Sequence, residues 1–159
     1  MIFCNTTPFI ALASIHRLQL LEKIFGEIHT AQSVIDECAE GGAILVPDLL
    51  TLSWVRPLAD EAESSLPILF ELDRGEKQTI ALARKCPDST VIIDERLARS
   101  VAEYLGIKVT GTLGVLVKAK TLGLIPSFHE AALAMQRQGL YYSEGLIRRL
   151  AQQLGECPE

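Results

Sequence analysis

Long apolar runs are missing from this sequence. Hydrophobic residues make up 48% of its 159 positions, yet no stretch reaches the ~18 residues that a membrane-crossing helix needs. No basic region precedes the apolar residues at the N-terminus, so no secretory leader is expected. The four cysteines, Cys4, Cys38, Cys86 and Cys157, contain no pair at metal-ligand spacing, which excludes the common structural zinc sites. Three of them fall in apolar or helical patterns and read as core residues of a reducing compartment. The cytoplasm is therefore the expected location. No repeat and no boundary signal divides the chain, so residues 1–159 are expected to form one domain. With 22% charged residues, the composition is that of a globular chain.

Acidic residues are also missing between Glu103 and Glu130. The net charge of −5 is thus unevenly placed: residues 1–103 carry 9 basic and 16 acidic side chains, and residues 104–150 carry 6 and 2. Such a split suits either a polyanion surface beside an acidic site or an ordinary solvated surface.

The most informative stretch is Thr90–Arg99. Val91, Ile92 and Ile93 read as a strand buried on both faces, and the run stops at Asp94, where a helical pattern begins. Asp94 either caps that helix or stands at a ligand site at the strand's C-terminal end. Met1-Ile2-Phe3-Cys4 reads as a first buried strand ending at Asn5, with Thr7 as a helix cap and Pro8 in the first helical position. A second apolar stretch, Leu18 to Phe25, closes at Gly26. Glu27–Thr30 is a short strand. The helix after it, 31–40, has an apolar face of Ala31, Val34, Ile35 and Cys38, with Glu37 on its border, ~60° from Val34. Glu37 either has a solvated head or looks along the protein's edge.

Ser53–Arg56 is a further short strand, and Asp60, Glu61 and Glu63 read as a solvated helix start. Asp73-Arg74-Gly75-Glu76 opens a helix over 76–86 whose apolar arc, Thr79, Ile80 and Ala83, has Glu76 in its middle. A carboxylate there needs a partner. It is either the return arm of a capping box with Asp73 or a cation ligand. The helix 95–105 is expected to bury Leu97, Val101, Tyr104 and Leu105, with Glu95, Arg96 and Arg99 opposite. The strand Ile107–Val109 leads into Thr110-Gly111-Thr112-Leu113-Gly114, a turn whose glycines could offer N–H groups to a phosphate, though its spacing matches no P-loop. A helix carrying Lys118 and Lys120 follows, then helices over 127–138 and 143–154.

Strands alternating with helices predict an α/β fold, three layers α/β/α around a mostly parallel sheet. Asn5 and Asp94 then share one sheet edge, and Glu37 and Glu76 can face it. An all-oxygen donor set suits Mg²⁺ or Mn²⁺ rather than zinc. The first strand ends in no aspartate, so the nucleophile of receiver-like and phosphatase-like domains is missing.

Taken together, Cys4-Asn5-Thr6-Thr7-Pro8-Phe9-Ile10, Val34-Ile35-Asp36-Glu37, Asp73-Arg74-Gly75-Glu76, Ile92-Ile93-Asp94-Glu95-Arg96 and Gly111-Thr112-Leu113-Gly114-Val115-Leu116 resemble a PIN domain over residues 2–150. The resemblance is to a prokaryotic branch with an Asn-Thr-x-Pro opening and a Gly-Thr-Leu-Gly turn. It implies a metal-dependent ribonuclease, with Asn5 where the first metal-binding aspartate usually stands. Glu37, Glu76 and Asp94 match the other catalytic and metal-binding acids, and Thr7 and Thr112 match supporting hydroxyls. Lys118 and Lys120 are then candidates to track an RNA backbone. The toxin half of a toxin–antitoxin pair, an antitoxin partner and a dimer are further implications. Asn5 offers only an amide oxygen, and the Thr110–Gly114 turn lacks the acid many members carry. The alternative is therefore a catalytically weakened module that binds RNA or protein.

Overall fold

Val91, Ile92 and Ile93 are fully buried, as a β-branched run flanked by sheet and helix should be. In the computed structural model, which describes residues 1–62 and 66–156, they belong to β4 (Thr90–Ile92) and its continuation. β4 lies between β1 (Ile2–Cys4) and β5 (Lys108–Thr110); β2 (Ile28–Ala31) and β3 (Val55–Leu58) complete the order β3-β2-β1-β4-β5. All pairings are parallel, with Cys4 opposite Ile92 and Ile92 opposite Thr110. Pro57, which has no N–H to give, is accommodated because β3 is an edge strand.

Parallel strands need crossovers, and helices supply them. The helices are α1 (Thr6–Ser14), α2 (Leu20–Phe25), α3 (Gln32–Glu40), α4 (Arg74–Arg84), α5 (Arg96–Tyr104), α6 (Thr112–Thr121), α7 (Phe128–Arg137) and α8 (Glu144–Gln153). Alternate strand residues face opposite layers. Phe3, Val91 and Ile93 pack with Ile80 and Ala83 of α4 and with Ala98, Val101 and Ala102 of α5. Cys4 and Ile92 pack on the other side with α1, α3, α6, α7 and α8 through Phe9, Val34, Leu116, Phe128 and Ile147. The result is the three-layer α/β/α fold with a central parallel sheet. Among the described residues no helix is long and apolar enough to cross a membrane.

Several local expectations change. The first helix starts at Thr6, one residue before the expected cap Thr7; Asn5 holds the cap position without a side-chain cap bond. Pro8 is still tolerated because the whole first turn lacks backbone acceptors for its N–H groups. On α5, Leu97 and Tyr104 are exposed (46% and 78%), while Ala98 and Ala102 are fully buried. Small residues let α5 press closely onto the sheet, and the pattern of large apolar residues pointed to the wrong face. Asp60 and Glu61 start no helix. Asp60 accepts from the Ser33 N–H (3.0 Å) and pairs with Arg74 (2.9 Å), and Glu61 pairs with Lys85. The two acids thus tie the loop after β3 to α3 and α4. Glu63 lies outside the described residues, as does Cys157.

The C-terminal segment fastens itself to α7. Glu156 accepts from the Ser127 hydroxyl (2.7 Å) and from the N–H groups of Phe128 (2.8 Å) and His129 (3.0 Å), so a carboxylate covers the positive end of that helix. Burial alone would raise its pKa; the three hydrogen bonds outweigh burial and hold it below the ordinary glutamate range. Glu156→Ala should lower stability by about 1 kcal/mol at neutral pH, as loss of a helix cap does. The difference from wild type should shrink as pH falls from the ordinary glutamate range down through the lowered folded-state pKa, where Glu156 becomes protonated in the wild type. Thermal denaturation from pH 7 down to about pH 3 measures both effects.

Candidate active site

The sheet order places a topological switch between β1 and β4. From β1 the chain turns to α1 on one face of the sheet, and from β4 it turns to α5 on the other. The two departing connections leave a crevice at the C-terminal ends of these strands, where open α/β sheets bind ligands. Asn5 follows β1 directly and donates its backbone N–H to the Ile92 carbonyl (3.0 Å); Asp94 follows Ile93 on the neighbouring strand. Asn5 is 4% exposed, and its Oδ1 has no hydrogen-bond partner. Among the described residues, the buried side-chain atoms His29 Nδ1 and Ser33 Oγ also lack partners, but the Asn5 carbonyl oxygen can only accept.

Asp94 caps no helix; Glu95 caps α5, accepting from the Ala98 N–H. Asp94 is instead held across the crevice by α6. Its Oδ1 accepts from the Thr112 backbone N–H (2.7 Å), and its Oδ2 from the Thr112 hydroxyl (2.6 Å) and the Tyr142 hydroxyl (2.8 Å). The positive end of α6 thereby faces the carboxylate. The Thr112 N–H, which the turn could have offered to a phosphate, is spent on Asp94. Both glycines of that turn are there for space. A Cβ on Gly111 would lie 2.5 Å from Arg99 Nη1 and 2.9 Å from Asp94 Oδ1, and one on Gly114 would press into the Thr110 hydroxyl. The φ of Gly111, −117°, is open to any residue. Gly111→Ala should therefore displace Asp94 and lower stability by ~1–3 kcal/mol, the usual cost of overpacking, measurable as a lower denaturation midpoint.

Glu37 joins three helices. From α3 it accepts from the Thr6 hydroxyl at the start of α1 and from the Gly75 N–H (3.1 Å) at the start of α4. A Cβ on Gly75 would come within 2.8 Å of Glu37 Oε2, which explains the glycine of Asp73-Arg74-Gly75-Glu76. The hydroxyl that supports an acid is thus Thr6, one position before the expected Thr7, which is exposed. Starting α1 one residue earlier rotates each side chain by about 100°.

Glu76 forms the capping box. Its Oε2 accepts from the Asp73 N–H (3.2 Å), and its own N–H donates to Asp73 Oδ1 (2.9 Å). Burial, and then the Asp73 charge, raise its pKa to about 7, and the Glu95 charge pushes the same way. The thiols beneath the site respond similarly. Burial and then Glu37 push Cys38 up to about 12. Burial, Cys38 and Asp94 raise Cys4. Both remain protonated core residues, as their apolar setting predicted.

Arg99 was not anticipated. Its Nη1 donates to the Ile93 carbonyl (3.1 Å). With Arg96, Leu113, Tyr142 and Leu146 it lines a cavity of about 450 Å³ beside Asp94. The signal was available in outline, because a helix that begins at the sheet edge returns its first turns there. Lys118 and Lys120 lie elsewhere, six and eight residues along α6 and so about 9–12 Å from its start. Lys118 is exposed, and the Lys120 ammonium donates to the Pro126 carbonyl (2.7 Å).

A family model described as a PIN domain matches residues 1–156. The chain belongs to the PIN-domain family. No curated protein and no solved structure matches it. Membership brings nuclease-type chemistry in general, and PIN domains typically act with divalent metals. The donor types of this PIN domain fit such an ion. Asn5, Glu37, Glu76 and Asp94 offer oxygen ligands, and Asn5 Oδ1 is a buried acceptor without a protein donor. Among the described residues, however, no three histidine, cysteine or acidic side chains stand close enough to form a ready-made cluster. Each carboxylate is turned toward donors of the protein itself.

Proposed function

We propose that this PIN domain is a metal-dependent ribonuclease using Mg²⁺ or Mn²⁺. The observation that carries this reading is the orphaned Asn5 Oδ1 at the β1–β4 switch point, next to the strand that ends in Asp94. Asn5, Glu37, Glu76 and Asp94 would hold the ion. When bound, such an ion acidifies water and offsets charge on a leaving oxygen.

The chain's own residues prepare the site. Thr112 fixes the Asp94 carboxylate with two hydrogen bonds, and Thr6 and Gly75 fix Glu37. Arg96 and Arg99 line the cavity beside Asp94 and suit phosphate oxygens, which guanidinium groups bind in a planar fork. Lys118, exposed on α6, and Lys120 would track the RNA backbone farther from the cavity. The family resemblance extends the reading to the toxin half of a toxin–antitoxin pair, with an antitoxin protein as partner and a dimer as the working unit in the cytoplasm.

Purified chain should cleave RNA with Mn²⁺ present, and Asp94→Asn should not. Equal cleavage by both would overturn the assignment. A second reading, an RNA- or protein-binding module without turnover, draws on the hydrogen bonds that already engage every carboxylate of the set. RNA binding that persists without metal, with no cleavage, would select it.

A further inference from the structure

Arg96 and Arg99 stand where helix electrostatics disfavours them. They are the first and fourth residues of α5, whose first turn holds no acid, and a cation there faces the positive end of the helix. Glu95 caps that helix by accepting from the Ala98 N–H and does not line the cavity beside Asp94. Among the described residues neither arginine forms an ion pair. Asp94, the carboxylate of the cavity wall, is engaged by Thr112 and Tyr142. Two guanidinium groups at i and i+3, neighbours on one helix surface, thus share a cavity with no anion paired to them.

The head of Arg99 has a built seat. Its Nη1 donates to the Ile93 carbonyl (3.1 Å), and a Cβ on Gly111 would lie 2.5 Å from that nitrogen, so glycine is what leaves room for it. Held at one nitrogen, the planar group keeps its other N–H donors for a ligand, in the fork that matches phosphate oxygens. Much of the remaining wall is apolar. Leu146 and Leu150, one turn apart on α8, and Leu113 of α6 line it together with Tyr142. Tyr142 is fixed at two points: its hydroxyl donates to Asp94 (2.8 Å), and its carbonyl accepts from Gln136 Nε2 (2.9 Å). Leu146 is 38% exposed, so this apolar wall opens to solvent. The cavity of about 450 Å³ falls within the ~300–1,000 Å³ typical of small-molecule sites.

We propose that this cavity is a subsite for one nucleotide of the RNA: Arg96 and Arg99 take its phosphate, and Leu113, Leu146, Leu150 and Tyr142 take its base. The inference rests on the reading of the chain as a ribonuclease, and it adds a base-binding wall to the phosphate contact. Apolar and aromatic side chains accept the flat face of any base. The subsite needs no metal, because both of its parts are side chains of this chain.

Adenosine 5′-monophosphate, titrated into the full chain without divalent metal and followed by NMR, should shift amides of residues 111–114 and 142–150. It should bind at least about ten-fold tighter than inorganic phosphate or adenosine, since only the nucleotide uses both parts of the cavity. Arg96→Gln should weaken binding of the nucleotide and of phosphate alike by about ten-fold, the equivalent of one charge-assisted hydrogen bond of ~1.4 kcal/mol. Leu146→Ser should weaken the nucleotide about five-fold and leave phosphate unchanged. Both side chains are exposed, so the fold should survive either change. Nucleotide binding no tighter than that of phosphate, or unchanged in both variants, would overturn the subsite. A glutamate-rich peptide that binds wild type as tightly as the nucleotide would show an unselective basic patch and overturn it too. Absence of nucleotide binding in a chain that still cleaves RNA with Mn²⁺ would remove the subsite and leave the ribonuclease standing. Nucleotide binding at the cavity in a chain that cleaves no RNA would keep the subsite and remove the ribonuclease.

Discussion

Asp94→Asn is expected to lower Mn²⁺-dependent RNA cleavage by at least about 10²-fold, the several kcal/mol of charge stabilisation that a metal supplies at 1.36 kcal/mol per decade of rate. The substitution keeps the shape of the side chain. The amide oxygen can still accept from the Thr112 N–H, and the hydroxyls of Thr112 and Tyr142 can rotate to accept from its NH₂ group. The fold should survive, with a denaturation midpoint within a few degrees of wild type. Only the negative charge beside Asn5 is lost, and Asn5 has none to offer. Single-turnover cleavage of a generic RNA by the two proteins, at matched folded fraction, measures the effect. A ratio below about three would detach Asp94 from catalysis.

Glu76→Gln should change the pH dependence of stability in a direction that reports the burial of this carboxylate beside Asp73. Glu76 is 7% exposed, and burial and the Asp73 charge raise its pKa to about 7 from 4.5. The folded protein thus holds its proton where the unfolded chain gives it up. That contribution is complete below pH 4.5, falls as pH rises, and is gone above pH 7. Glutamine cannot ionise and keeps the capping box, since its Oε1 can accept from the Asp73 N–H as Glu76 Oε2 does. At pH 8 without divalent metal, Glu76→Gln should be more stable than wild type by ~1–2 kcal/mol, less than the full shift would give because the unfolded-like relaxation of the first turn recovers part of it. A difference of this size raises the midpoint by roughly 3–6 °C in a chain of this length. Saturating Mn²⁺ should reverse the order, because ligand binding to the folded state stabilises only the protein that keeps its carboxylate. Thermal scans at pH 5 and pH 8, with and without Mn²⁺, give four midpoints. Wild type losing nothing between pH 5 and pH 8 would show that Glu76 is an ordinary solvated cap.

The fold is largely legible in the sequence, because its signals are local. A β-branched run such as Val91–Ile93, a Pro8 near a helix start and a Gly26 stop each act over one turn or one strand. Alternation of such elements leaves few architectures other than a parallel sheet between helices. The misreadings have a common origin. The apolar pattern of helix 95–105 places Leu97 and Tyr104 in the core, yet α5 approaches the sheet through Ala98 and Ala102. The distance between two packed layers is not written in either segment. The start of α1 at Thr6 is a one-residue shift that capping preferences do not resolve, and the Thr6 hydroxyl donates to Glu37.

For the candidate site the division is sharper. The sequence by itself determined that Asn5 and Asp94 follow strands, that Glu76 lies in the first turn of a helix and that Glu37 borders the apolar face of another, since residue type and periodicity are enough to place them there. Only the tertiary structure decided what each touches. It turned Glu37 to Thr6 and Gly75, gave Asp94 to Thr112 and Tyr142, brought Arg99 to the edge, and sent Lys120 to Pro126. The physical reason is range. Capping, propensity and periodicity act over a few residues, whereas these contacts join segments up to 48 residues apart through the order of strands in the sheet, which no local pattern encodes.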